Sequence, residues 1–111
     1  MNGEFEVILC IVNAGFSDSV MAAARECGAK GGTVINARGT AREDAEKTFG
    51  IVIEPEKEIV IILADIKIKD AILHAIYKEA GLNTPGQGIA FSLPVDDVIG
   101  ISKKKDKKEE K

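Results

Sequence analysis

The sequence predicts an α+β domain, with four strands and two helices in the order βαββαβ and both helices on one face of an antiparallel sheet. Three observations point there. The chain has 111 residues, which suits one domain with one core. Apolar residues make up 45% of it but aromatics only 5%, with no Trp, so the core must be built from Val, Ile, Leu and Ala. A strand–helix–strand pattern also occurs twice, and its helices end alike: Arg25-Glu26-Cys27-Gly28 and Lys78-Glu79-Ala80-Gly81.

The first strand is read over Phe5 to Val12 (FEVILCIV), a short β-branched run broken by Asn13, Ala14 and Gly15. Ser17 is a candidate cap for a helix on which Val20, Ala23, Ala24 and Cys27 recur at helical spacing. Gly28 is placed to end that helix in the left-handed conformation. After the AKGG loop, a second strand is expected around Thr33 to Ala37.

The second half repeats the plan. Ile59 to Ala64 reads as a strand, and Asp65 as the start of a helix with the apolar stripe Ile68, Ala71, Ile72, Ala75 and Ile76. Gly81 ends it, LNTPGQG turns the chain, and Ile89 to Leu93 makes the fourth strand. Two such halves in tandem are the split-βαβ signature of a ferredoxin-like sheet. The expected domain covers residues 1–102. It includes a long connection at about 38–56, in which Thr40 and Glu43 form a capping-box pattern and AREDAEK suits one or two helical turns. Residues 103–111 read as a charged, disordered tail.

One pattern reaches beyond the single chain. Phe5, Val7, Leu9 and Ile11 alternate with Ile8, Cys10 and Val12, so the first strand is apolar on both faces. Ile59 to Leu63 has the same character. A sheet covered on one side should alternate apolar with polar residues, so something must cover the second face. Self-association through the sheet is the simplest cover.

Charge and composition narrow the function. The net charge is −3, but the tail from Lys103 carries +3, leaving −6 on residues 1–102. An acidic body lacks the basic face that nucleic-acid binding needs. Two unmatched cysteines, no basic leader before an apolar stretch and no apolar run of membrane length predict a cytoplasmic protein with reduced thiols and no membrane insertion.

The chemistry-bearing stretches are few. Thr84-Pro85-Gly86-Gln87-Gly88 is a candidate ligand loop, because glycines let successive backbone N–H groups converge on an anion. Its residues equally suit a plain helix-to-strand turn. Ala37-Arg38-Gly39-Thr40 puts a cation and a hydroxyl at a strand end, where Arg38 could grip a phosphate or carboxylate or simply be solvated. His74 lies with Asp70 and Lys78 opposite the apolar stripe and has no nucleophile to serve. Cys10, Cys27 and His74 lack zinc spacing, and the adjacent Asp96 and Asp97 point apart on an extended segment. No catalytic or metal site is expected.

Together these stretches resemble the nitrogen-regulatory PII signalling family over about Phe5 to Ile101. The most telling parts are Gly32-Thr33-Val34, the loop TPGQGIAF with its Gly86-x-Gly88-x-x-Phe91 spacing, and the closing LPVDDV from Leu93 to Val98. The resemblance implies a ferredoxin-like homotrimer with sheets facing inward. It implies a regulator and not an enzyme, one that senses a small-molecule effector in clefts between subunits. The connection at 38–49 would engage a target protein, a transporter or an enzyme, in nitrogen or related metabolism. By the same resemblance Thr33, Gly39, Thr84, Gly86, Gln87 and Gly88 fall on or near cleft positions, and Arg38 and Pro85 adjoin them.

The departures redirect the ligand. A Lys that neutralises phosphate in the family is Ile89 here, and Gly100 and Ser102 replace two phosphate-clamping Arg residues. The loss of three cations removes most of the charge-assisted hydrogen bonds a triphosphate needs. The connection is also shorter than in the family, without a modifiable Tyr or the Gln-Lys-Gly run near the 2-oxoglutarate site. The expected ligand is AMP, ADP or a non-nucleotide anion in place of ATP with 2-oxoglutarate, with Arg38, Arg42 and Lys47 as remaining cationic contacts. No permanently held cofactor is expected. The competing reading is a CutA-like trimeric metal-binding stress protein, which shares this build.

Overall fold

The computed structural model describes residues 4–40 and 55–101. Its elements are β1 (Phe5–Asn13), α1 (Ser17–Glu26), β2 (Thr33–Arg38), β3 (Glu56–Asp65), α2 (Ile66–Glu79) and β4 (Gly88–Pro94). The four strands form one antiparallel sheet in the order β2-β3-β1-β4. This is the ferredoxin-like arrangement expected from the two βαβ halves. The expected AREDAEK helical turn, together with Arg42, Lys47, Ser102 and the 103–111 tail, lies outside the described residues.

The strands that read as apolar on both faces are the two central ones. β1 pairs with β3 from Phe5↔Asp65 to Asn13↔Lys57, and with β4 from Glu6↔Pro94 to Val12↔Gly88. On one face Ile8, Cys10, Val12, Val60, Ile62 and Ala64 are buried beneath the helices. α1 packs onto them through Val20, Met21, Ala23 and Ala24, and α2 through Ile72 and Ile76. Each fully buried Ile or Val contributes about 1.5–3 kcal/mol of transfer free energy, so this layer is the main source of stability. Burial also pushes the Cys10 thiol up to about 11, which keeps it protonated at neutral pH. Ala71, expected in the apolar stripe of α2, is exposed; the stripe narrows to Ile72 and Ile76, flanked by the half-buried Ile68 and Ala75.

The helix ends divide into one that local sequence specifies and one that tertiary structure specifies. Asp65, read as the start of α2, stands at its cap, its side chain accepting from the Lys67 N–H at 2.8 Å. Ser17 does not cap α1: it is the first helical residue, Phe16 occupies the cap position, and no side chain of that residue closes the turn. The acceptor comes from β3, where Glu58 Oε1 receives the N–H groups of Gly15 and Ser17, each at 3.1 Å. Gly28 takes the expected left-handed conformation beyond its helix end, with φ of 107°, and Gly81 does the same beyond α2, with φ of 81°.

The other face of the sheet carries no element of the described chain. Register places Leu63, Val7 and Leu93 in one row across it. The next row is Thr33, Ile61, Leu9 and Phe91, and the next Ile35, Ile59, Ile11 and Ile89. Ile89 is 58% exposed and Leu93 45%, values far from those of core residues. Among the described residues no helix is long and apolar enough to cross a membrane.

The two layers should respond differently to truncation. Ile62→Ala, which empties a wholly buried site, is expected to cost about 2–5 kcal/mol in urea unfolding. Tyr77→Ala, on the exposed side of α2, should stay within about 0.5 kcal/mol of the parent.

Candidate functional site

Every strand end on one side of the sheet meets a loop with polar character. β1 ends at Asn13, β2 at Arg38, β3 begins at Glu56 and β4 at Gly88. β2 and β3 pair up to Arg38↔Glu56, so the two ends of the connection between them leave the sheet side by side. The Gly39 N–H donates to the Pro55 carbonyl at 2.6 Å and continues that pairing by one step.

The candidate loop at 84–88 is tied down by its own backbone and by β1. The Thr84 N–H donates to the Gly81 carbonyl at 2.9 Å and the Gln87 N–H to the Thr84 carbonyl at 3.2 Å. Asn13 Nδ2 donates to Gln87 Oε1 at 3.0 Å and to the Gly86 carbonyl at 3.3 Å. Glycine is required at 88: its φ is 153°, and a Cβ there would sit 2.5 Å from the Ile11 carbonyl oxygen. Thr84, Pro85 and Gly86 are exposed, whereas Gln87 and Gly88 are half-buried.

Three residues that sequence reasoning passed over join this end of the sheet. Lys57 Nζ donates to Asn13 Oδ1 at 2.7 Å, and its stem runs against Gly39, where a Cβ would lie 2.8 Å from Lys57 Cε. Glu58, on the opposite face, holds the β1–α1 turn. Its carboxyl is kept below the ordinary value of 4.5, chiefly by the Ser17 hydroxyl and then by the Ser17 and Gly15 N–H groups. Asn13 and Lys57 had a signal. They continue the alternation of Phe5, Val7, Leu9, Ile11 and of Ile61, Ile59, and stand where that apolar pattern turns polar.

The residues singled out from sequence are not gathered at one point of one chain. Arg38 and Gly39 close β2, at one edge of the sheet, and the 84–88 loop opens β4, at the other. Three strand spacings, about 14 Å, separate those edges. Thr33 lies in the middle row with Ile61, Leu9 and Phe91, five residues along β2 from Arg38. Ile89, where a basic residue stands in the resembled family, faces the open side of the sheet beside Ile11. Gly100 is exposed, with nothing near its Cα for a side chain to meet. Among the described residues, no group of three or more His, Cys, Asp or Glu side chains is arranged to hold a metal.

A family model for nitrogen regulatory protein P-II matches residues 5–105, nearly the whole chain. The chain belongs to the P-II family. It is accordingly a signalling regulator and not a catalyst. Among solved structures it is similar to the PII protein of Arabidopsis thaliana, crystallised bound to citrate. The TM-score is 0.67 with 26% identity, over 88% of this chain and 81% of the plant protein. A putative PII-like signalling protein of Thermus thermophilus shares the fold, with a TM-score of 0.63 and 17% identity over 94% of this chain and 92% of that one. No curated protein sequence matches the chain.

Two variants test the local account. Gly88→Ala forces a side chain into a position closed by backbone, and should cost at least about 1–3 kcal/mol in unfolding experiments. Glu58→Gln keeps an acceptor but not the charge. A carboxyl whose folded pKa is depressed adds stability above its unfolded value, and this is lost as pH falls through the folded one. The advantage in Tm of the parent over Glu58→Gln should therefore be complete near neutral pH and shrink below about 4.5.

Proposed function

We propose that this P-II family member works as a homotrimer that senses a small effector between subunits and signals to a target protein through the 38–49 connection. The observation that carries the reading is the split of the candidate ligand residues between opposite edges of the sheet. A single chain leaves Arg38 and Gly39 about three strand spacings from Thr84, Pro85, Gly86, Gln87 and Gly88. A neighbouring copy that lays its β2 edge beside this β4 edge supplies the missing half. Copies packed by their open faces also cover Leu9, Ile11, Ile61 and Phe91, so one arrangement answers both needs.

The ligand is small or weakly charged. With Ile89, Gly100 and Ser102 in place of cations, and the Thr84 and Gln87 N–H groups already donating within the loop, the cleft offers the Gly86 N–H, the Gln87 carboxamide and the Arg38 guanidinium of a neighbour. That inventory suits AMP, ADP or a non-nucleotide anion. The plant relative with bound citrate is a precedent for a polycarboxylate on this fold. Occupancy would be signalled through the 38–49 connection to a transporter or enzyme, in nitrogen or related metabolism.

Isothermal calorimetry on the full chain with AMP, ADP, ATP, 2-oxoglutarate and citrate tests the reading. The expected result is binding of AMP, ADP or citrate, weakened by Arg38→Ala, with no gain in ATP affinity from 2-oxoglutarate. Tight magnesium-dependent ATP binding strengthened by 2-oxoglutarate would overturn the ligand assignment.

A further inference from the structure

The loop at 84–88 and the base of the 39–55 connection are joined within one chain by an unbroken set of contacts. At the β2–β3 side, the Gly39 N–H holds the Pro55 carbonyl at 2.6 Å, and the Lys57 stem lies against Gly39. Lys57 Nζ then reaches Asn13 Oδ1 at 2.7 Å. The same Asn13 amide donates through Nδ2 to Gln87 Oε1 and to the Gly86 carbonyl. The set crosses the sheet along the register row Ala37–Lys57–Asn13 and continues into the loop before β4. Lys57, Asn13 and Gln87 are all half-buried, so the Lys57–Asn13 and Asn13–Gln87 bonds are sheltered from water more than surface pairs would be, while the bond to the Gly86 carbonyl is exposed.

We infer that Asn13 and Lys57 are positioning residues that couple the conformation of the 84–88 loop to that of the Gly39–Pro55 base. The carboxamide is the hinge of the coupling because it uses both ends at once. Its oxygen is held by the ammonium, which fixes the plane of the amide and so aims its N–H groups at the loop. Release at either end frees the other. A change at Gln87 on ligand binding would rotate the Asn13 amide, and the Lys57 ammonium would lose or regain its acceptor beside Gly39. Coupling of this kind is reciprocal by thermodynamic necessity. It is also a physical chain of contacts and not a correlation between distant positions. Its role in signalling rests on the proposed ligand site, but the coupling itself is a property of the free chain.

Amide exchange followed by NMR on the ligand-free protein tests it in both directions. Lys57→Met keeps the stem against Gly39 and removes the donor to Asn13. Gln87→Leu removes the nearer of the two loop acceptors and leaves the Gly86 carbonyl. Lys57→Met is expected to speed exchange at Gln87 by about fivefold, the worth of the neutral Asn13–Gln87 hydrogen bond that it loosens. Gln87→Leu should speed exchange at Gly39 by a similar factor, and Lys57→Arg, which retains a donor, should leave Gln87 near the parental rate. Acceleration confined to the mutated end, or shared equally by the core amide of Ile62, would overturn the inference. A failure of the calorimetry with parental ligands would leave these exchange results standing, so the two readings fail separately.

Discussion

The structure depends on a sheet that is apolar on two faces and covered by helices on one. β1 and β3 are the central strands, and each alternates between side chains buried under α1 and α2 and side chains turned the other way. The helix-side layer of Ile8, Ile62, Ile72 and Ile76 is what lets so small a domain hold together without aromatic residues at its centre. The opposite layer would be a cost if left in water. The candidate ligand residues lie at the edges and ends of the sheet, where neither the helix-covered core nor the apolar rows of the open face occupy the surface.

The polar end of the sheet is where the open-face alternation stops. Ile11 gives way to Asn13 along β1, and Ile59 to Lys57 along β3, and those two polar residues bond to each other and to the loop before β4. Ile89 lies where the apolar open face meets the candidate ligand loop. A basic residue there would serve a phosphate; an isoleucine extends the apolar row of Ile35, Ile59 and Ile11 to the edge. An isoleucine at this position offers no charge to a phosphate and adds to the apolar surface of the open face.

Much of the fold was legible because the signals are local. The two-faced apolar runs of β1 and β3, the Asp65 cap, and Gly28 and Gly81 at the helix ends each follow from a few neighbouring residues. Ser17 misled for the opposite reason: a hydroxyl before a helix is a local cap signal, but Glu58, forty-one residues away, satisfies the turn instead. Likewise Asn13 read as a strand breaker and Lys57 as one charge in a polar stretch. Their contacts exist only through register, which pairs residues that lie far apart in the chain. The candidate loop at 84–88 was visible as a glycine pattern. Its separation from Arg38 and Gly39 was not, since strand order alone puts β2 and β4 at opposite edges.

The central claim is that further copies of this chain cover the open face of the sheet. Native mass spectrometry at micromolar concentration, on the parent and on Leu9→Glu, tests it most directly, since Leu9 sits in the middle row of that face. The account predicts a trimer for the parent and a helical, folded monomer for the variant. A monomeric parent, or a variant that remains trimeric, would contradict it.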